Sequence, residues 1–557
     1  MTSAPATAAL ALAATLLGVS LSPPAGAVIP FEVGGVKLTL DVTESLFADF
    51  HTSLDDPQIL DEADRSNIFD IRNRLNVRLR ADKLTLGVRL DFAWFANPPA
   101  NPGQASQYQD DIRPEELFLT GRFGDFTVTL GDDYLTFGRG LALSLRKIDE
   151  LGFATSLRGV HVQWRTPRFR ARFVTGLTNT LNVDGVEEKL IPDPNDVVFG
   201  AQVEGTPIDG LKIGAHIVDI ERRHSGIRTA LAGALGGDDD DRPLSNARHV
   251  RTLVGGGSVE LPTLGDVLSV YAEIDALRNE DTRETASGRK DTTTTGLAAY
   301  GQVQLFLERL TLLAELKHYD NWDVSSTLHP DTAQLQGITQ TFSYIVAPTL
   351  ERIDQRVVNN TDVTGGHLRV DYAIPDSTDS LFLSGAYFAD APVQNDHTIH
   401  VYGGFEHTGT GTDRLLLQAG YRREEAAELT RLRMIHLDLD VFALLAPGVD
   451  MQLHWSHEFR DKNVGTATLQ ETYLEGTSYV SVNLPPDWSF TAQFEYLTDA
   501  STDSPYFPGA IIQYRFTRDS FIRLFAGRSK GGLKCSGGVC RVFPSFEGVK
   551  LESTVRF

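Results

Sequence analysis

The chain has 557 residues, with 51 Lys plus Arg against 74 Asp plus Glu, and its formal net charge is −23 at pH 7. This acidic balance argues against a nucleic-acid partner bound through a basic surface. Beyond the N-terminus there is no apolar run of about 18 residues or more, which excludes a helical membrane protein. It does not exclude a membrane β-barrel, whose strands alternate apolar and polar side chains.

The first residues, 1–27, are predicted to be a signal peptide. Residues 8–21 read ALALAATLLGVSLS, an apolar run too short to span a bilayer, and Ala25-Gly26-Ala27 forms a small-residue cleavage site. No Lys or Arg precedes the apolar run, which departs from the usual pattern. We expect export, a cleaved segment 1–27 and a mature domain 28–557.

Both cysteines, Cys535 and Cys540, lie in one short stretch with two glycines between them. An oxidising compartment would close this stretch as a small loop disulfide. A metal site would show further Cys or His at ligand spacing, and none is near in the sequence.

Period-two alternation recurs from Val36 onward in segments of about ten residues, as in strands whose two faces meet different surroundings. In residues 71–80, Ile71, Leu75, Val77 and Leu79 alternate with polar residues, most of them arginines. Helical periodicity is nearly absent.

The connections between these segments alternate between short and long. Tight turns are predicted at residues 82–83, 166–167, 206–210, 262–266, 308–309, 446–448, 485–487 and 517–519. Longer polar segments are predicted at residues 48–68, 96–114, 134–155, 178–196, 220–248, 277–295 and 320–364. Short turns on one side and long loops on the other are typical of an outer-membrane barrel.

The sequence therefore predicts an all-β fold: a single large antiparallel transmembrane β-barrel of about 24 strands, within a range of about 22–26, as single-chain bacterial barrels have even strand numbers. The C-terminal segment agrees, since Val549, Leu551 and Val555 alternate with polar residues and the chain stops at Phe557. A last strand of this kind resembles the signal read by the barrel-assembly machinery of Gram-negative outer membranes, which we expect to be a partner, together with outer-membrane lipid.

Four segments carry a resemblance to a known family: residues 131–147, residues 314–322, residues 347–353 and residues 535–551. They resemble segments of an uncharacterised bacterial family designated DUF6029. The resemblance implies an outer-membrane barrel and brings no established activity.

Inward-facing arginines are the first candidate site. If apolar side chains face lipid, the lumen receives the arginines of two strands. These predicted pore-lining residues are Arg72, Arg74, Arg78, Arg80, Arg170 and Arg172. They resemble the arginine ladders of porins, which set a transverse field at a constriction. Alternatively, they pair with inward carboxylates such as Asp91, Glu116 and Asp438 to fill a wet interior.

The segment from Phe137 to Lys147 is too apolar for an exposed loop and too rich in glycine for a regular strand. It is predicted to fold into the lumen as a constriction or plug, with Phe137, Gly138, Arg139, Gly140, Arg146 and Lys147 as its candidate residues. The alternative is a bent continuation of the strand from Phe126 followed by a short helix.

Acidic runs at residues 55–56, 61–64 and 238–241 fall in predicted external loops, where carboxylates are able to bind Ca²⁺. Such runs are more often simply solvated, and we expect no metal and no cofactor. The sequence has no nucleophile elbow and no HExxH motif, so we expect no enzyme.

The sequence favours a porin-like channel for passive or gated passage of small polar or anionic solutes. The alternative is a structural or binding barrel with a closed lumen, whose long acidic loops engage a partner. A sheath around a separate electron-carrying cytochrome has no residue-level support. The sequence leaves open whether the chain forms a homo-oligomer.

Overall fold

The computed structural model describes residues 29–54, 67–98, 110–148, 153–154, 156–178, 181–183, 190–192, 196–223, 248–285, 288–322, 324, 362–390, 397–409, 413–426, 430–464, 469–485, 487–499, 504–536, 539–543 and 545–556. Regular structure in these ranges consists of β-strands. Among the described residues, no helix is long and apolar enough to cross a membrane.

The strands form one closed antiparallel barrel of 24 strands, which confirms the predicted fold class and strand number. In chain order they are β1 (Val36–Leu54), β2 (Ile68–Ala81), β3 (Leu84–Ala96), β4 (Asp111–Phe123), β5 (Phe126–Asp133), β6 (Leu157–Arg165), β7 (Phe169–Thr178), β8 (Val197–Ile208), β9 (Leu211–Arg223), β10 (Arg248–Leu264), β11 (Leu268–Thr285), β12 (Gly288–Phe306), β13 (Leu310–Asp320), β14 (Val363–Ala373), β15 (Asp379–Asp390), β16 (His397–Thr408), β17 (Arg414–Ala426), β18 (Thr430–Ala446), β19 (Val449–Val464), β20 (Leu469–Leu484), β21 (Trp488–Leu497), β22 (Tyr506–Thr517), β23 (Ser520–Ser529) and β24 (Phe546–Arg556).

The barrel closes where β24 pairs with β1, from Thr43 opposite Arg556 to Leu54 opposite Phe546. An additional short strand, Ile29–Val33, pairs with Val36–Leu40 of β1 on the same side as β24. It therefore continues the sheet beyond the end of the last strand. The alternation did not predict this strand, because five residues are too few to show a clear period.

Apolar side chains face outward and polar ones face the lumen. Ile274, Leu316 and Leu383 are 59%, 69% and 57% exposed, as expected for side chains that meet lipid. In β2, Leu75 and Leu79 lie opposite Leu90 and Leu86 of β3, which are exposed on the outer surface. Because directly opposite residues share a face, the aliphatic residues of β2 face outward and its arginines face inward, as predicted.

The predicted alternation of connections is present over most of the chain, but one of the predicted long loops is not formed. Short connections, such as residues 82–83, 209–210 and 447–448, join strands at one end of the barrel. Asp82 and Gly448 have positive φ angles of 45° and 77°, as tight hairpin turns require. The connections at the other end are mostly longer, and residues 321–362 form the longest.

The exception is residues 277–295, where the prediction of a long loop is wrong. β11 and β12 stay paired from Leu277 opposite Gly296 to Thr285 opposite Gly288. The threonines of residues 292–295 favour strand structure through their branched Cβ atoms. This part of the hairpin is polar on both faces, so it lacks the alternation that identifies a lipid-facing strand.

Candidate functional site

A hairpin follows β5, and we call residues 135–145 the lumen hairpin. Leu135–Thr136 pairs with Ser144–Leu145 as a short antiparallel ladder. The Phe137 N–H donates a hydrogen bond of 3.0 Å to the carbonyl oxygen of Leu143. The alternative prediction, a bent continuation of β5 with a short helix, is wrong for the described residues of this segment.

Two glycines make the turn of the lumen hairpin. Gly138 and Gly140 have φ angles of 53° and 98°, in the region that glycine adopts without steric cost. The Gly140 N–H donates a hydrogen bond of 2.8 Å to the carbonyl oxygen of Phe137, which closes the turn. The glycines therefore shape the tip of a hairpin.

The side chain of Phe137 anchors the hairpin to the inner face of the barrel. It is fully buried, and the guanidinium of Arg172 lies 5.2 Å from its ring centroid. A Cβ atom at Gly200 of β8 would lie 2.8 Å from the same ring. The ring packs this closely because position 200 carries no side chain.

The tip of the hairpin is held by β11. The Arg139 N–H donates a hydrogen bond of 3.0 Å to Glu273 Oε2, and the Arg139 guanidinium lies 4.5 Å from the ring centroid of Tyr271. A Cβ atom at Gly138 would lie 2.4 Å from Glu273 Oε1. Backbone, ring and charge contacts thus fix the tip in the lumen.

The barrel side of this contact is apolar. We call it the covered wall, and its inward side chains on β7, β8, β9, β10 and β12 are fully buried: Val174, Val198, Val218, Val254 and Ala298. They form one hydrophobic cluster with Leu135, Phe137, Leu141, Ala142, Leu143 and Leu145 of the hairpin. The lumen hairpin therefore occupies space inside the barrel, against one part of its wall.

The structure separates the predicted constriction residues into two groups. Phe137, Gly138, Arg139 and Gly140 form the docked tip described above. Arg146 is partly buried and Lys147 is exposed, beyond the ladder that closes the hairpin. The role of all six as a constriction stays a prediction.

The predicted pore-lining arginines also differ from one another. Arg72 lies 3.6 Å from Asp49 and 4.8 Å from the ring centroid of Phe47, and only 9% of it is exposed. Arg74 lies 3.6 Å from Asp91. These two arginines pair with carboxylates, as the alternative interpretation predicted.

Arg78 and Arg80 are exposed on the inner face of β2. Within the part of the chain that the structure describes, neither forms an ion pair.

The arginines of β7 serve the wall and the hairpin. Arg170 forms an ion pair with Glu204 of β8. Arg172 donates a hydrogen bond to Gln202 Oε1 and lies over Phe137. Both face inward, as predicted, and both are engaged by neighbouring side chains.

A water-accessible cavity of about 480 Å³ lies between β1 to β4, Asp519 of the turn before β23 and Arg556 of β24. We call this region the open wall, and its polar lining consists of Asp41, Thr43, Asn76, Arg78, Arg89, Glu116, Asp519 and Arg556. Arg556 lies 2.9 Å from Asp41 and 3.5 Å from Asp519. Its charge is therefore neutralised by two carboxylates.

Arg89 also lines the open wall, although the sequence did not single it out. Its Nε and Nη2 donate hydrogen bonds of 2.8 and 2.6 Å to the two carboxylate oxygens of Asp91, and Nη1 lies 3.6 Å from Glu116. The sequence could have indicated this orientation, because alternate residues of a strand face opposite sides. Val88 and Leu90 face lipid, so Arg89 between them faces the lumen.

The predicted inward carboxylate Asp438 has different partners. Its Oδ1 accepts a hydrogen bond of 2.6 Å from Ser456 Oγ, and its Oδ2 lies 3.1 Å from His436 Nδ1. His436 in turn lies 3.1 Å from His400, ring nitrogen to ring nitrogen. These buried groups form a polar network on the inner face of β16 to β19.

Several predictions concern residues outside the described ones: the signal peptide 1–27, the acidic runs at 55–56, 61–64 and 238–241, and the terminal Phe557. The two cysteine positions, Cys535 and Cys540, lie directly opposite each other in a short antiparallel ladder. Their side chains fall outside the described residues, so the disulfide stays a prediction.

Several solved structures are similar to this chain at a low level. The siderophore receptor PirA from Pseudomonas aeruginosa has 10% identity and a TM-score of 0.45, over 92% of this chain and 80% of that chain. The outer membrane transporter YddB from Escherichia coli has 8% identity and a TM-score of 0.46, over 94% and 84% of the two chains. The P pilus usher PapC translocation pore has 8% identity and a TM-score of 0.40, over 93% and 100%.

No curated protein matches the chain at a significant level. Three of the four segments that carried the family resemblance, residues 131–147, 314–322 and 347–353, lie outside the range matched by a family model. The fourth lies inside it. Residues 466–557 match the model described as "Family of unknown function (DUF6029)", which confirms the predicted resemblance for this C-terminal part of the chain.

Proposed function

We propose that the chain is a porin-like channel in the outer membrane of a Gram-negative bacterium. Small polar or anionic solutes pass through the barrel along the open wall, beside the lumen hairpin. The hairpin narrows the bore and sets the size limit, while charged side chains set the preference for solutes. We also propose that the barrel-assembly machinery recognises β24.

The observation that carries this proposal is the contrast between the two walls. The covered wall packs a cluster of apolar side chains against the lumen hairpin, whereas the open wall has a polar cavity of about 480 Å³. A barrel of more than about 20 strands encloses either an aqueous or a plugged lumen. A hairpin docked on one side fills only part of such a lumen.

Anion preference follows from the exposed arginines of β2. The charges of Arg72, Arg74 and Arg89 are balanced by carboxylates within 3.6 Å. Arg78 and Arg80 are exposed and form no ion pair within the described residues. A passing anion therefore meets two guanidinium groups that form no ion pair among the described residues.

Liposome swelling with sugars and organic anions tests the passage of solutes. We expect swelling for wild-type protein, and its absence would favour the alternative, a closed structural or binding barrel.

Single-channel recordings in a salt gradient test the anion preference. We expect Arg78→Gln combined with Arg80→Gln to shift the reversal potential toward cation preference. Arg168→Gln combined with Arg309→Gln is the matched control, because it removes the same charge from exposed turns between strands. Equal reversal potentials for both double variants would contradict the role of Arg78 and Arg80.

A further inference from the structure

Three ionisable side chains meet on the covered wall beneath the tip of the lumen hairpin. His216 belongs to β9, and Glu273 and Asp275 belong to β11. His216 Nε2 lies 2.6 Å from Asp275 Oδ1 and 4.0 Å from Glu273 Oε1. All three side chains are fully buried.

The strand between them explains how they meet. In β10, Gly256 lies opposite both His216 and Asp275, so the three positions form one row across the sheet. Strands two places apart are separated by about 10 Å, which is far for a direct contact. A Cβ atom at Gly256 would lie 1.5 Å from Asp275 Oδ1, so the side chains meet over a position that must be glycine.

The hydrogen bonds of Glu273 leave one of its oxygens available. Oε2 accepts hydrogen bonds from the Arg139 N–H and from the Tyr271 hydroxyl. Oε1, the oxygen nearest His216 Nε2, has no hydrogen-bond partner among the residues that the structure describes. An unpartnered oxygen of a fully buried carboxylate therefore points into the cluster.

Lysine and arginine do not balance the two carboxylates of the cluster among the described residues. Within the described part of the chain, no Arg or Lys forms an ion pair with Glu273 or Asp275. If His216 is protonated, two carboxylates still face one cation. Burying an unbalanced charge is costly, and either a proton on a carboxylate or a bound cation removes that cost.

In a second cluster on the inner face, buried carboxylates lie next to positively charged side chains. Asp49, His51 and Asp70 also lie close together and buried. There, however, Arg72 and Lys550 lie 3.6 and 3.4 Å from Asp49. In that cluster Arg72 and Lys550 supply the positive charge that no Arg or Lys supplies around His216 among the described residues.

We propose that His216, Glu273 and Asp275 bind a divalent transition-metal ion of the Zn²⁺ class. Bonds of about 2.0–2.2 Å to N and O ligands place tetrahedral donors about 3.3 Å apart. The separations of 2.6 and 4.0 Å bracket that value, so shifts below about 1 Å bring His216 to this spacing from both carboxylates. The imidazole ligand selects against Ca²⁺ and Mg²⁺, which prefer oxygen donors.

The position of the site links it to the hairpin. Glu273 offers Oε1 to the ion while its Oε2 holds the Arg139 N–H at the hairpin tip. The ion therefore fixes the carboxylate that holds the tip. Metal binding is measured independently of solute passage. The proposed metal site can therefore be wrong while the proposed channel function is right, and the reverse also holds.

The test is metal content after loading. Untagged full-length protein in detergent is incubated with ZnCl₂, dialysed and analysed by inductively coupled plasma mass spectrometry. We expect about one zinc per wild-type chain. Glu273→Gln removes a ligand, and Gly256→Ala displaces Asp275 without any change of charge, so both variants are expected to lose the ion.

His51→Gln is the matched control, because it alters the second cluster, and we expect it to keep the zinc. Heat-dependent mobility in gels checks that each variant folds. Wild-type protein without zinc, or full zinc in both Glu273→Gln and Gly256→Ala, would overturn the proposal. If neither variant folds, Co²⁺ is titrated into wild-type protein and the visible absorption spectrum is recorded. A band typical of Co²⁺ bound by nitrogen and oxygen ligands supports the site, and the absence of such a band overturns the proposal.

Discussion

The covered wall and the open wall have similar side chains on their outer faces and different side chains on their inner faces. Both present apolar side chains to lipid, as Phe173 and Leu86 show. Inside, the covered wall places Val174 and Val218 against the lumen hairpin, whereas the open wall places Arg78 and Asn76 around a cavity. The apolar inward residues therefore indicate where the hairpin packs, whereas polar inward residues occur on both walls.

The largest expected effect comes from removing the tip of the lumen hairpin, which packs against the covered wall. Replacing residues 137–143 by two glycines takes away the hairpin tip and widens the bore. We expect the single-channel conductance to rise several-fold, because the part of the lumen that the tip fills opens to water.

The control for this deletion is the removal of residues 283–290, the tip of the paired β11–β12 extension. It shortens a hairpin of similar size at the end with the long connections. We expect its conductance to equal that of wild-type protein. The same conductance for the deletion of residues 137–143 would show that the lumen hairpin does not narrow the path.

A smaller effect is expected from a charge on the open wall. Arg89 is 4% exposed and is held by Asp91 and Glu116. Arg89→Gln takes the cation away from Glu116 and leaves Asp91 with Arg74 at 3.6 Å, and we expect it to lower the free energy of unfolding by on the order of 3 kcal/mol. Urea unfolding of the folded barrel in lipid vesicles measures this change.

Arg251→Gln is the matched control for Arg89→Gln. Arg251 has the same two-pronged geometry with Asp219, at 2.9 and 2.6 Å, but 44% of its side chain is exposed. Solvent screens such a pair, so we expect a loss of about 0–1 kcal/mol. Equal losses for the two variants would mean that the open wall is as well solvated as the outer rim.

The outline of the barrel was predictable from the sequence because lipid imposes one simple pattern. Each lipid-facing position must be apolar, so alternation marks strands such as β2 and β9 directly. The pattern fails where lipid ends. Residues 277–295 were predicted as a loop because their strands continue beyond the apolar band.

The interior was predictable only in part. The apolar character and glycines of residues 137–147 indicated an inserted segment, and β2 indicated inward arginines. Which arginine pairs with which carboxylate depends on register, as for Arg74 and Asp91. The contact of His216 with Asp275 depends on Gly256 of a third strand, and no local pattern reveals such a row.

The most direct test of the two-wall account is the accessibility of one residue on each wall to a charged reagent. Asn76→Cys and Val218→Cys are made separately in a background with Cys535→Ser and Cys540→Ser. A sulfonate-bearing thiol reagent is then added during single-channel recording. We predict that conductance falls for Asn76→Cys and stays constant for Val218→Cys, which is buried under the hairpin. Reduction at position 218 without reduction at position 76 would contradict the account.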